Sequence, residues 1–117
     1  MNRTITLREV PYKEFRAFLV KLDRRNKDLR ALEQQYYNNL SKTVTATAEQ
    51  DEKQKAFYDE KDRLTFMDFE FGPIKLARVS IMSYSIANAL SDGNISIVDN
   101  HIVPVKVDLT ISFWDDR

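Results

Sequence analysis

From Tyr12 to Leu40 the sequence keeps the periodicity of an amphipathic helix and contains neither glycine nor proline. Apolar side chains recur every three or four positions, with Arg25 filling the one gap: Phe15, Phe18, Leu22, Leu29, Leu32, Tyr36 and Leu40. An unbroken helix of this length spans about 40 Å, more than the diameter of a compact domain of this size. The helix must therefore break, most simply near Asn26, or project and need a partner. Because no helix-breaking residue is present, we expect it to be continuous.

The C-terminal part has the opposite periodicity, because apolar residues occupy every second position of residues 103–113. Such alternation predicts a strand with one buried and one exposed face in an antiparallel sheet. Pro104 cannot donate to a ladder, so the first part of this strand should lie at an edge or outside the ladder. The long strand also offers an edge for pairing with another copy or another protein.

Shorter segments complete the predicted elements. Alternation and turn signals predict three further strands. A capping box at Thr47 and Gln50, followed by acidic residues in the first turn, predicts a second, mostly polar helix that returns along the first after a short connector. The predicted strands are residues 3–10, 65–71 and 95–98, the second helix is 48–64, and the connector is 41–48.

Residues 74–91 fit two patterns. As a helix, Leu76, Val79, Met82, Ile86 and Leu90 share one face, whereas as a strand Val79 and Ile81 alternate with polar neighbours. The segment is longer than a typical strand, and Gly93 stands where a helix C-terminal glycine belongs. We therefore expect a third helix.

The predicted fold is a single α+β domain over residues 1–117. It has an antiparallel sheet of about four strands, with a long helical hairpin and a third helix packed together on one face of that sheet.

Composition argues against most enzyme classes. The chain has no Cys, only two Gly and one histidine, His101, so a thiolate metal site and a glycine-rich phosphate loop are excluded. Asp68 and Glu70 fall on one face of a predicted strand and could hold Mg²⁺, but acids on a solvent-facing sheet surface give the same pattern. We expect no catalytic residues, no metal and no cofactor.

Basic residues are concentrated near the N-terminus, where residues 1–43 carry ten Lys or Arg and five Asp or Glu. This favours nucleic-acid binding by one face of the first helix as an alternative function, with single strands preferred to duplex because no duplex-binding motif is present. Acidic residues interrupt the basic face, which is also usual for a solvated helix. The candidate residues are Lys13, Arg16, Lys21, Arg24, Arg25, Lys27 and Arg30.

The first hypothesis is a non-enzymatic binding or assembly module that acts through protein–protein interaction, with a homo-oligomer as one form. The first helix carries more apolar stripe than the polar second helix can cover. Arg25 is a polar insertion of the kind that specifies register between helices, and Tyr and Trp are enriched at interfaces. The candidate contact residues are Arg25, Tyr36, Tyr37 and Trp114.

Localisation follows from what the sequence lacks. It has no apolar run of the roughly 18 residues that a membrane helix needs, and its N-terminus lacks the pattern of a secretory signal. We therefore expect a cytoplasmic protein without membrane contact. Small size, absent Cys and scarce Gly are compatible with an accessory protein of a phage or mobile element that binds a host or viral protein.

Overall fold

The computed structural model describes residues 1–42, 47–89, 91 and 93–115. The elements in chain order are β1 (Asn2–Pro11), α1 (Tyr12–Lys42), α2 (Thr47–Thr65), β2 (Met67–Phe71), β3 (Ile74–Ala87), β4 (Ile95–Val98), β5 (His101–Pro104) and β6 (Lys106–Asp115). The fold is α+β, as predicted, with one four-stranded antiparallel sheet and a separate two-stranded sheet. Residues 43–46 of the predicted connector lie outside the described residues.

The strands of the large sheet are ordered β1-β6-β3-β2, so the C-terminal strand lies inside the sheet. Ile111 at its centre is flanked by Ile5 of β1 on one side and by Tyr84 of β3 on the other. The expectation that the terminal strand offers an open edge is therefore wrong. Alternation of apolar residues determines which face of a strand is buried, but it does not determine whether the strand lies at an edge or inside the sheet.

The core lies on the face of the sheet that α1 covers. Leu109 and Ile111 are fully buried there, and Phe18 of α1 packs its ring 5.4 Å from that of Phe69 and 5.6 Å from that of Phe71. The opposite face is lined with hydroxyl groups, such as the Thr4–Ser112 and Thr6–Thr110 pairs across β1 and β6. Alternation in β1 and β6 thus separates an apolar face from a polar one.

The predicted third helix is wrong, because residues 74–87 form the long strand β3. The core-facing positions of this strand fall three, two, three and two residues apart: Leu76, Val79, Ile81, Tyr84 and Ile86. The register shifts after Leu76 and after Ile81 each give β3 one residue more than its partner strand. Arg78, which lies within the first of these two shifts, has a φ of +52°. A bulge that adds a residue turns a spacing of two into three, which imitates the spacing of a helix face.

The predicted strand at 103–113 is divided in two. Val105 leaves the ladder, since its N–H donates to the carbonyl of Asn94 and its carbonyl accepts the N–H of Tyr12. Residues before it belong to the β4–β5 hairpin, and residues after it form β6. This agrees with the expectation that Pro104 lies outside the main ladder.

The helix α1 is continuous and extends past the sheet. Its first half carries the buried Phe15 and Phe18, whereas its second half contacts α2 through a Tyr36–Phe57 stack and a Glu33–Lys61 ion pair. Phe57 is the buried apolar residue of α2 and lies apart from the core cluster under the sheet. The chain therefore measures 64 × 35 × 18 Å, with a radius of gyration of 18.9 Å. A compact chain of this length has a radius near 13 Å.

Within the described residues, no helix is long and apolar enough to cross a membrane.

Candidate protein–protein interface

The β4–β5 hairpin carries an apolar surface that nothing in the described part of the chain covers. Its register sets Ile95 opposite Pro104 and Ile97 opposite Ile102, so these four side chains share one side. The three isoleucines are 53%, 73% and 69% exposed in chain order. We call this surface the hairpin face. Isolated two-stranded hairpins are marginally stable in water, so a hairpin that also exposes its apolar side is suited to packing against something else.

Asn94 fixes the base of this hairpin. It is buried, and its side-chain N–H groups point at the carbonyl oxygens of Asn88, Ala89 and Lys106 at 2.6–3.1 Å. Its side-chain oxygen accepts the N–H of Lys106 at 3.0 Å, so the amide pairs with Lys106 as a strand residue would. These bonds connect the backbone just after β3 to the first residue of β6. The hairpin is therefore held firmly at one end of the large sheet.

A polar groove of about 520 Å³ lies beside the hairpin base. Its charged groups pair with one another, since Lys106 contacts Glu9 at 2.8 Å and Asp108 accepts bonds from the Glu9 N–H and the Asn88 amide. These two donors hold the pKa of Asp108 below its usual range. The groove thus joins the bulge of β1 to the ends of β3 and β6.

Arg25, a predicted contact residue, attaches α1 to the sheet. It is half-buried, and its guanidinium donates to the carbonyl of Ile81 at 3.3 Å and to the side chain of Asn26. Burial lowers the pKa of Arg25, which remains a cation because the pKa of guanidinium is so high. Arg25 therefore reaches β3, whereas the sequence placed it in a seam between helices.

The other three predicted contact residues lie in two separate places. Tyr36 is half-buried and stacks on Phe57 with ring centres 4.0 Å apart, whereas its neighbour Tyr37 is 60% exposed near the far end of the helices. Trp114 is 44% exposed near the end of β6, on the hydroxyl-lined face of the sheet. Tyr36 and Tyr37 contact each other with ring centres 5.4 Å apart, but the structure brings neither of them to Trp114 or to the hairpin face.

Four of the seven predicted nucleic-acid residues already contact groups of their own chain. Besides Arg25, Lys21 donates to the carbonyl of Asp68 and lies over the ring of Phe69. Lys27 pairs with Asp23 at 3.0 Å, and Arg30 donates to the carbonyl of Asn26 at 3.4 Å.

The remaining three predicted nucleic-acid residues are exposed and make no ion pair with other described residues: Lys13, Arg16 and Arg24. Lys13 and Arg16 are three residues apart at the start of α1, whereas Arg24 is two turns further on. Nucleic-acid binding by this face stays a prediction.

The two acids considered for Mg²⁺ are occupied by neighbours. Asp68 accepts the N–H of Arg78 at 2.9 Å, and Glu70 pairs with Lys75 at 3.6 Å. Among the described residues there is no group of three or more acidic or histidine side chains arranged to hold a metal. The absence of catalysis, metal and cofactor stays a prediction.

Sequence reasoning missed the hairpin face. The sequence does contain the pattern of a β-hairpin, because short apolar runs stand on both sides of the turn at Asp99 and Asn100. The alternation of residues 103–113 assigned Val103 and Pro104 to the terminal strand, so Ile95 and Ile97 had no partner strand.

Comparison with models of protein families, with curated proteins and with solved structures finds no match to this chain.

Proposed function

We propose that this protein is a non-enzymatic association module that binds a protein partner through the hairpin face. The observation that carries the proposal is the cluster of Ile95, Ile97 and Ile102, which lie on one side of the hairpin with the half-buried Pro104 and are more than half exposed. Apolar area of this kind gains free energy when a partner removes it from water.

The free energy gained by burying the hairpin face determines how much additional surface a partner has to cover. Fully burying an exposed isoleucine is worth about 1.5–3 kcal/mol, so the three partly exposed isoleucines together supply roughly 3–6 kcal/mol. Association costs at least about 4 kcal/mol in lost freedom of motion, so the hairpin face alone would bind weakly. The partner therefore has to cover the surrounding surface as well, on the order of 800 Å² on each side.

The chemistry of the hairpin narrows the class of partner. Within the strands β4 and β5 the one ionisable side chain is His101, which stands opposite Val98 on the other side of the hairpin. A surface without charge favours an apolar groove on a protein over a polyanion. If the chain is an accessory protein of a phage or mobile element, that groove belongs to a host or viral protein.

The test replaces apolar side chains of the hairpin face by serine. We expect Ile97→Ser with Ile102→Ser to abolish recovery of a stoichiometric partner protein from the cells that make the chain. The control is Val98→Ser, which removes a half-exposed apolar side chain from the opposite side of the same hairpin and should leave recovery unchanged. Recovery of the same partner with both variants, or no partner and a monomer with the unaltered protein, would contradict the proposal.

The nucleic-acid alternative is tested on the same preparations. We expect labelled single-stranded and double-stranded oligonucleotides to show no salt-dependent binding in fluorescence anisotropy. Binding that weakens steeply with salt, and that is lost on replacing Arg16 and Arg24 by glutamate, would favour the alternative, and the slope would count the phosphates contacted.

A further inference from the structure

On the side that faces β2, more than half of the strand β3 has no neighbouring strand within the part of the chain that the structure describes. The strand β2 pairs with β3 only as far as Val79, whereas β6 pairs with β3 from Val79 to Ala87 on the other side. Among the described residues no strand pairs with residues 80–87 on the side where β2 has ended. The contact found there is the Arg25 guanidinium on the carbonyl of Ile81. We call residues 80–87 the open edge.

The other two edges of the sheet carry features that prevent pairing with another chain. The strand β1 has charged residues at Arg3, Arg8 and Glu9, a bulge at the last two, and Pro11 at its end. The strand β2 has five residues, two of them acidic, and ends at a Gly-Pro turn. Charge, bulges, proline and shortness are the devices by which sheet edges avoid association.

The open edge has almost none of these devices. Its sequence is Ser-Ile-Met-Ser-Tyr-Ser-Ile-Ala, which contains no charged residue and no proline. Three large side chains along it are 42–60% exposed: Met82, Tyr84 and Ile86. The bulge after Ile81 leaves residues 83–87 in regular register with β6. The chain therefore protects two edges and leaves the third able to pair.

We propose that the open edge pairs with the same edge of a second copy of this chain. The two strands would run antiparallel about a two-fold axis near Ser83 and Tyr84, joining two four-stranded sheets into one continuous sheet. The sequence of the open edge supports a second copy as the occupant, since a strand with charged side chains would repel a copy of itself. Residues 82–87 carry no charged side chain and lie beyond the Arg25 guanidinium at the Ile81 carbonyl. Antiparallel pairing is also the relation that a two-fold axis imposes on two identical strands crossing it.

The new pairing would also cover exposed apolar area. Tyr84 packs its ring edge against Phe15 and Phe18, and Ile86 faces the same side of the sheet, so both lie at the margin of the core. A neighbouring strand would extend that core across the axis, because residues on one face of paired strands contact each other. This proposal goes beyond the proposed function, because it uses a surface separate from the hairpin face and does not depend on a partner bound there.

The test places charge on the open edge without touching the core. Ser83 and Ser85 are exposed on the hydroxyl-lined face opposite Ser112 and Thr110. Sedimentation velocity from about 1 to 100 µM should show a dimer for the unaltered protein. Ser83→Lys with Ser85→Lys, or Ser83→Glu with Ser85→Glu, should each weaken dimerisation by roughly tenfold or more, because like charges meet across the axis. Mixing the two double variants should restore the dimer, with the rescue decreasing as salt is added.

The matched control is Thr4→Lys with Thr6→Lys, which places the same charges on the same face of the sheet but on the protected strand β1. This variant should dimerise like the unaltered protein. Ile97→Ser with Ile102→Ser should also leave the dimer intact, so loss of the dimer and loss of the hairpin partner are distinguishable. A monomer at all concentrations, or dimerisation that the charged open-edge variants do not change, would overturn the proposal.

Discussion

The side-chain amide of Asn94 makes hydrogen bonds to neighbouring backbone groups of the kind that a strand residue usually makes with its own backbone. Its amide satisfies one N–H and three carbonyl groups at the point where β3, β4 and β6 meet. Polar residues that are this buried are retained when every polar group finds a partner. Nothing in the sequence distinguishes this asparagine from the chain's other asparagines, because its role depends on three segments meeting.

Replacing Asn94 by alanine should therefore destabilise the fold markedly. The change removes part-buried hydrogen bonds to the backbone of Ala89 and Lys106, and groups left without such a partner cost roughly 1–3 kcal/mol each, so we expect a loss of about 2–4 kcal/mol in unfolding free energy. Urea denaturation measures it. The control is Ser91→Ala in the same loop, which removes one exposed hydrogen bond to the carbonyl of Asn88 and should change stability by under about 0.5 kcal/mol. Equal effects of the two changes would contradict the assigned role.

Asp108 makes stability depend on acid. The Glu9 N–H and the Asn88 amide favour its ionised form and lower its pKa, so its contribution is present above the unfolded-state value of about 3.9 and is lost as pH falls through the lower folded-state value. Asp108→Asn should therefore be less stable than the unaltered protein near neutral pH, with a difference that shrinks on acidification. Denaturation at a series of pH values measures this, and a carbon NMR titration of Asp108 checks the pKa. A pKa at or above 3.9 would contradict it.

At the scale of elements, the sequence predicts those whose period stays regular. The helix α1 and the strand β6 each keep a single period, and their predicted bounds lie within a few residues of the observed ones. The bounds of α2 are equally close, although that helix is predicted from its N-terminal capping signal. The strand β3 fails because its two register shifts alter the spacing of Leu76, Val79, Ile81 and Tyr84, and because pairing with β2 and β6 determines its conformation. The open edge was missed for the same reason, because it lies in the segment predicted to be helical. The hairpin face was missed because the regular alternation of residues 103–113 assigned Val103 and Pro104 to the terminal strand.

The far half of the helical pair depends on one aromatic cluster. Phe57 stacks on Tyr36, contacts Tyr37 and Tyr58 and lies under Lys61, whereas the rest of α2 is polar. Phe57→Ala should raise amide hydrogen exchange in the far turns of α1 and in α2 while leaving exchange in β6 nearly unchanged. Exchange resolved by mass spectrometry measures this. A matched increase throughout the sheet would mean that the helices and the sheet unfold as one unit.

At the scale of the whole molecule, the shape leaves apolar groups without cover. In this chain, 64 Å long with its core under one sheet, no described element covers the three isoleucines of the hairpin face or pairs with the open edge. The hairpin face is a separate two-stranded sheet at the end of the large sheet where β6 begins, and α1 runs from that end towards the other. Exposed apolar groups on an elongated chain are the expected counterpart of surfaces that become buried on association.

The most direct measurement of the association function is site-specific photo-crosslinking from the hairpin in the cells that make the protein. A photoreactive phenylalanine derivative replaces Ile97 on the hairpin face, or its neighbour Val98 on the opposite side. We expect a single crosslinked protein product from position 97 and little from position 98, because a partner on the hairpin face would cover only one side of the hairpin. No product at position 97, or equal products from both positions, would contradict the claim that the hairpin face is a docking surface.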